Sequence, residues 1–292
     1  MLYKEYLCAR TLSEALAWLG EKPGTRPIAG GTDLMVQLQA RTAQASRLVD
    51  ISRLPELKEI RLSNGMVHIG AAATYQAIID SEILREAAPL LVESSRQVGA
   101  AQVQHMGTIG GNIANASPAG DLLPPLYALE AWLTLVSSRG ERQQPIREFI
   151  LGVHRTTLRP GEIITAVHFE ALKPGESSSF VKFGLRQSQM ISVVSVAARL
   201  QAVDGIIRSA CIGLGAVAPT VVCSLAAENT LIGKPGSPYL FEQAGDAARR
   251  DSSPIDDIRG SAAFRRHLVG PLVQRALQSA WEHAYIARTE RK

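Results

Sequence analysis

Two short segments of the chain are built from residue types that hold phosphate. Ala29-Gly30-Gly31-Thr32-Asp33 follows the apolar Pro27-Ile28. Paired glycines free the backbone for positive φ and leave no Cβ between main chain and ligand. Consecutive N–H groups in such a turn form a concave anion site. Thr32 adds a hydroxyl, and Asp33 can cap the segment that follows. The same residues also fit a plain tight turn before a capped helix. Thr108-Ile109-Gly110-Gly111-Asn112 repeats the recipe of hydroxyl, paired glycines and amide, within 24 uncharged residues from Gln97 to Gly120. Surface loops that carry no charge point to backbone donors packed against a ligand. Two such loops from distant positions can converge on one diphosphate. Asp121 closes the second segment, either as an acceptor for ribose or ribityl hydroxyls or as a cap before Leu122-Leu123.

Other chemistries are not written here. Gly213-Leu214-Gly215-Ala216-Val217-Ala218 fits GxGxxA, but Pro219 falls where the helix of a dinucleotide fold needs an N–H. It reads instead as a strand entering a turn. There is no GxSxG, HExxH or GxxxxGK[ST]. The six histidines show no metal-ligand spacing, and Cys8, Cys211 and Cys223 are too scattered for a zinc site, a disulfide framework or an iron–sulfur cluster. Cofactor-cradling loops without an acid–base set leave the reaction to the cofactor.

The elements that must position these loops belong to a globular chain of 292 residues, 46% hydrophobic and 20% charged. The net charge of +4 is concentrated after Gly245, where nine Arg/Lys stand against six Asp/Glu. That density is too low for nucleic-acid binding and fits a solvated surface or a rim for a partner protein. Charges interrupt any export signal at the N-terminus, and glycines and prolines break both long uncharged stretches, Gln97–Gly120 and Ser209–Ala227. The expectation is a cytoplasmic protein without a membrane span.

Helical spacing is expected over Thr11–Leu19, strands over Arg47–Ile51 and Met66–Ile69, and helices from Thr74 to about Ile79 and over Leu90–Val98. The residues after Asp33 fit helix or strand. Leu126–Val136 runs from helix to strand, and a Pro-Gly turn at 160–161 precedes a strand reaching Phe169. Lys173–Ser179 is dense in turn formers and reads as the domain linker. Three strands follow (Ser179–Leu185, Ser192–Leu200, Ile206–Gly215), then helices over Ala226–Ile232, Leu240–Arg249 and Phe264–Ala284.

"AGGTDL" at Ala29–Leu34 and "TIGGNIANASPAGD" at Thr108–Asp121 resemble the two flavin motifs of the FAD-binding (medium) subunits of the molybdenum hydroxylases. "IGLGAVAPT" at Ile212–Thr220 and "FRRHLV" at Phe264–Val269 resemble segments of that family's C-terminal domain. The likeness covers nearly the whole chain and is greatest to the separate flavin subunit of bacterial xanthine dehydrogenases. It implies an α+β protein: a two-lobed α/β FAD-binding domain of PCMH type over 1–175, then a smaller α+β domain over 176–292 with a three-stranded antiparallel sheet and helices. It implies FAD held by Ala29, Gly30, Gly31, Thr32 and Asp33, and by Thr108, Gly110, Gly111, Asn112 and Asp121. Ile164 and Lys182 match positions flanking the flavin, against plain alternatives of core packing for Ile164 and a solvated Lys182.

Two segments depart from the family. Gln104-His105 stands where many relatives have Arg-Asn, and Met190 where many have Asp. Both alter charge near the flavin and bear on its potential and acceptor. The resemblance further implies a [2Fe-2S] small subunit and a molybdenum-cofactor large subunit as partners, with NAD+ or another acceptor receiving the electrons. A carbon monoxide dehydrogenase or aromatic N-heterocycle hydroxylase flavin subunit and a stand-alone FAD-dependent reductase are the alternatives, besides a scaffold that has lost its flavin.

Overall fold

The computed structural model describes residues 2–186 and 189–289. Glu290, Arg291 and Lys292 of the C-terminal charge count lie outside them.

The first lobe alternates strand and helix: β1 (Glu5–Cys8), α1 (Leu12–Glu21), β2 (Thr25–Ile28), α2 (Leu34–Gln39) and β3 (Arg47–Asp50). β3 pairs in parallel with both others, giving the order β1-β3-β2. Thr11 starts α1 by accepting the Glu14 N–H, and Ala15, Leu16 and Leu19 form the stripe buried on the sheet. Arg47 is buried between Glu5 and Glu21 and ties β3 to β1 and to the end of α1.

The second lobe is a five-stranded sheet with helices on one face. In chain order it contains β4 (Ile60–Ser63), β5 (Met66–Gly70), α3 (Tyr75–Asp80), α4 (Glu82–Ala87), α5 (Pro89–Arg96), α6 (Ala101–Met106), α7 (Ile109–Asn115) and α8 (Leu123–Ala128). There follow β6 (Trp132–Ser137), β7 (Gly140–Pro145), α9 (Ile146–Phe149), the small hairpin β8 (Ile150–Gly152) and β9 (Arg155–Thr156), and β10 (Ile163–Glu170). The antiparallel order β4-β5-β10-β6-β7 puts the last strand at the centre. Val67, Ile69, Leu133, Leu135, Val167 and Phe169 face the helices and form the largest core. Alternate residues, Met66, His68, Trp132 and His168, lie on the other face. The uncharged segment after Gln97 is not the loop its composition implies: α6 and α7 lie within it, and Gly110 and Gly111 occupy the first turn of α7.

The C-terminal domain is an antiparallel sheet, β11 (Glu176–Phe183), β12 (Val194–Val203), β13 (Ile206–Gly215) and the two-residue edge strand β14 (Val222–Cys223). Three long strands match the expectation, and β14 adds a short fourth. Helices α10 (Leu225–Leu231), α11 (Pro238–Asp251) and α12 (Ala262–Thr289) cover one face. β12 is buried on both sides: Val194, Val196, Ala198 and Leu200 join the helices, whereas Ala197 joins the core of the second lobe. The linker read over Lys173–Ser179 is shorter than expected. Ser177 and Ser179 lie inside β11, buried, because their hydroxyls donate to the Ala280 and Ala276 carbonyls of α12. Gly213 and Gly215 have a packing role, since a Cβ there would meet Pro124 of α8 at 2.7 Å.

Candidate functional site

β2 delivers the first glycine segment to the start of α2. Gly31 has φ 69°, the left-handed region that favours glycine. Gly30 is fixed by proximity, since a Cβ there would stand 1.7 Å from the Met106 carbonyl oxygen at the end of α6. Asp33 precedes α2 without bonding its N–H groups. Burial pushes its carboxyl above the usual range, and His154 nearby pulls the other way. Among the described residues nothing accepts a hydrogen bond from the N–H of Gly30, Gly31, Thr32 or Asp33. That leaves a row of main-chain donors.

The second segment opens α7. Thr108 is its N-cap, accepting the Gly111 N–H at 3.1 Å. The adjacent glycines have different tasks. Gly110 faces inward, where a Cβ would stand 2.6 Å from Ala71 Cβ, and its N–H donates to the Ala71 carbonyl at 2.8 Å. Gly111 faces the space between the lobes. A Cβ there would meet only Thr108 Oγ1. Asn112 lines the cleft, but its Oδ1 is buried out of solvent's reach, without a hydrogen-bond partner and near Gly120.

These segments meet in one cleft of about 540 Å³ between the two lobes, within the range of small-molecule sites. Ala29 to Asp33 form one wall, and Thr108, Gly111 and Asn112 form the facing one. Gln37 Nε2 crosses between them to Asn115 Oδ1 at 2.9 Å. Arg26 and Arg159 also line the cleft, and neither is in an ion pair among the described residues. The Glu162 carboxylate in the same wall is neutralised by Arg142, with contacts of 2.7 and 2.8 Å. The surplus cations and free N–H groups suit a diphosphate.

Asp121, Lys182 and Ile164 do not line this cleft. Asp121 and Lys182 form a buried ion pair of 2.6 Å between the segment after α7 and β11. Ser192 donates to the other carboxylate oxygen at 2.6 Å, and Lys182 also donates to the Gln97 carbonyl at 3.0 Å. Burial raises the Asp121 carboxyl, opposed by Lys182 and Ser192. Lys182 is therefore not solvated: its side chain is 0% exposed. Ile164 is buried in β10 beside the bulge preceding Ala166. Sequence reading missed Gln37, Arg142 and Ser192, whose partners are 78, 20 and 71 positions away. No local pattern marks them. The two departures have structural partners as well. Gln104 bonds the Arg96 and Val98 carbonyls, and Met190 packs on Gly184. Among the described residues no three His, Cys, Asp or Glu side chains converge as a metal site, and no helix is long and apolar enough to cross a membrane.

Residues 2–169 match the family model described as the FAD binding domain in molybdopterin dehydrogenase. Residues 179–280 match the CO dehydrogenase flavoprotein C-terminal domain. The carbon monoxide dehydrogenase medium chain of Hydrogenophaga pseudoflava is 32% identical, over 95% of this chain and 96% of that one. The xanthine dehydrogenase FAD-binding subunit of Escherichia coli O157:H7 is 30% identical, over 95% and 96%. Among solved structures, carbon monoxide dehydrogenase from H. pseudoflava superposes with a TM-score of 0.91 at 33% identity, covering 95% of this chain and 97% of that one. Quinoline 2-oxidoreductase from Pseudomonas putida 86 does so with a TM-score of 0.91 at 28% identity, covering 96% and 97%.

Proposed function

This chain belongs to the FAD-binding subunits of the molybdenum hydroxylases, an oxidoreductase family, and we propose that it performs the flavin step of a heteromeric, cytoplasmic enzyme of that type. Electrons arrive from [2Fe-2S] clusters on a small partner subunit, which draws them from a molybdenum cofactor on a large one. They leave to NAD+ or another acceptor. The near-equal likeness to carbon monoxide and xanthine dehydrogenase subunits fits a chain whose substrate is bound elsewhere in the complex.

The observation that carries the cofactor assignment is the convergence of both glycine segments on one cleft, with free N–H groups on one wall and Arg26 and Arg159 among its lining. FAD, when bound, supplies the redox chemistry. The residues of this chain bind and orient it. The N–H groups of Gly30 to Asp33 donate to diphosphate oxygens, with Ala29 leading into the turn. Thr108 caps the first turn of α7 at Gly111, and Asn112 lines the cleft beside it. Gly110 acts indirectly by letting α7 approach Ala71. Ile164, Asp121 and Lys182 stand behind the cleft and flank the flavin end indirectly, the buried carboxylate–ammonium pair tying the second segment to β11. The division between residues 175 and 176 is supported by the start of β11 at Glu176.

The test is to reconstitute the purified chain with FAD and record its spectrum. A stoichiometric flavin spectrum is expected, and its absence removes the cofactor assignment. Affinity purification of the native chain should bring down an iron–sulfur and a molybdenum polypeptide; recovery of the chain alone refutes the heteromeric reading. Mixing the reduced chain with NAD+ and separately with oxygen identifies the acceptor.

A further inference from the structure

The outer face of the five-stranded sheet carries a pair that the flavin cleft does not use. His68 on β5 and His168 on β10 are directly opposed in the antiparallel ladder. Their Nδ1 atoms are 3.3 Å apart, and the rings meet edge to face at 62° with centroids 4.8 Å apart. On the far side of His168, Nε2 lies 2.7 Å from Thr134 Oγ1 on β6.

We propose that His68 and His168 form a two-ligand site for a borderline divalent transition cation, of the class of Zn2+, Ni2+ or Cu2+. Two imidazole nitrogens bound to one ion at about 2.0–2.1 Å and at a tetrahedral angle lie roughly 3.3–3.4 Å apart, so the observed spacing needs little adjustment. With Nε2–H donated to Thr134, His168 presents its Nδ1 lone pair toward His68. This is the outer hydrogen bond that orients metal-binding histidines. Without metal, His68 donates its Nδ1–H to that lone pair. On binding, the proton moves to His68 Nε2, and both rings stay neutral.

The surroundings favour neutral rings. Burial holds both imidazoles below their ordinary range, and Arg61 acts in the same direction on each. Arg61 stands opposite His68 on β4, but it is exposed and ion-paired with Glu59 at 3.3 Å. Glu141, from β7, bears on His168 with the opposite sign. Trp132, across from His168, is 48% exposed, so the pair sits beside an open rim rather than under the core. Two coordination positions remain for water or an outside ligand, unlike the closed shell of structural zinc. The proposal does not rest on flavin binding.

The full-length chain titrated with Cu2+, followed by electron paramagnetic resonance and by visible absorption, tests this. One equivalent with nitrogen ligation is expected at neutral pH. H68Q and H168Q should each weaken binding by about tenfold or more, with flavin content and thermal midpoint unchanged, while H105Q should bind as the parent does. Absence of saturable binding overturns the proposal, as does parental binding by H68Q. H68Q alone decides the matter if H168Q, on the central strand, does not fold.

Discussion

Gln37 on α2 and Asn115 on α7 are 78 positions apart in sequence, yet the Gln37 amide donates to Asn115 Oδ1 at 2.9 Å. Each helix begins at one of the two glycine segments, so the bond sets the separation of the walls. Asn115 is held from the other side as well, its carbonyl lying 2.7 Å from His154 Nδ1.

Gln37→Ala should therefore loosen the cofactor more than the fold. Losing a hydrogen bond of this kind costs about 0.5–1.5 kcal/mol, roughly a two- to tenfold rise in the FAD dissociation constant, measured by flavin fluorescence titration. The thermal midpoint of the flavin-free chain should move by no more than a few degrees. Unchanged affinity would show that the walls are set by other contacts.

The glycines should separate by role. Gly30→Ala drives a Cβ into the Met106 carbonyl and should cost at least about 1–3 kcal/mol, as overpacking does, seen in urea unfolding without flavin. Gly111→Leu projects into the cleft and should abolish FAD binding at near-parental stability. Tight flavin binding by Gly111→Leu would exclude α7 from the cofactor site.

Breaking the Asp121–Lys182 pair from one side strands a buried charge. Asp121→Asn and Lys182→Met should each lose about 3–5 kcal/mol, and the double variant should lose less than the sum of the two. Additive losses in a denaturation cycle would show that the 2.6 Å contact carries no coupling.

Glu162 gives a pH dependence with a defined sign. The hydrogen bond from Arg142 is the main cause holding its carboxyl below the usual range. The unfolded chain thus takes up the proton first as the solution is acidified. Stability from the pair is complete above the ordinary carboxylate range, about pH 4.3, and is lost as pH falls through the lower folded value. Glu162→Gln should be less stable than the parent at neutral pH and should show a shallower acid decline in thermal midpoint. Parallel acid limbs would contradict this.

What was legible in the sequence follows the range of the forces involved. Caps and amphipathic stripes are local, so Thr11 and the Ala15–Leu16–Leu19 stripe announce α1. Both flavin motifs are contiguous, and Gly30, Gly31 and Gly110 are required by close approach or by positive φ. Composition misled where tertiary contacts replaced solvent. Ser177 and Ser179 look like linker residues until their hydroxyls meet α12, and the neutral run after Gln97 looks like loop although its first-turn Gly110 packs on Ala71. The His68–His168 pair, 100 positions apart, was hidden for the same reason: spacing along the chain carries no information about neighbours across a sheet.

The Asp121 anchor also has a timetable. Its hydroxyl partner, Ser192, comes 71 residues later. At about 5–20 residues per second, the ribosome has finished the second flavin motif several seconds before that anchor exists. Until then the carboxylate is solvated and the back of the motif is uncovered. The cleft is lined only by residues up to Glu162, so both of its walls are synthesised before the residues that bury the back of the second motif.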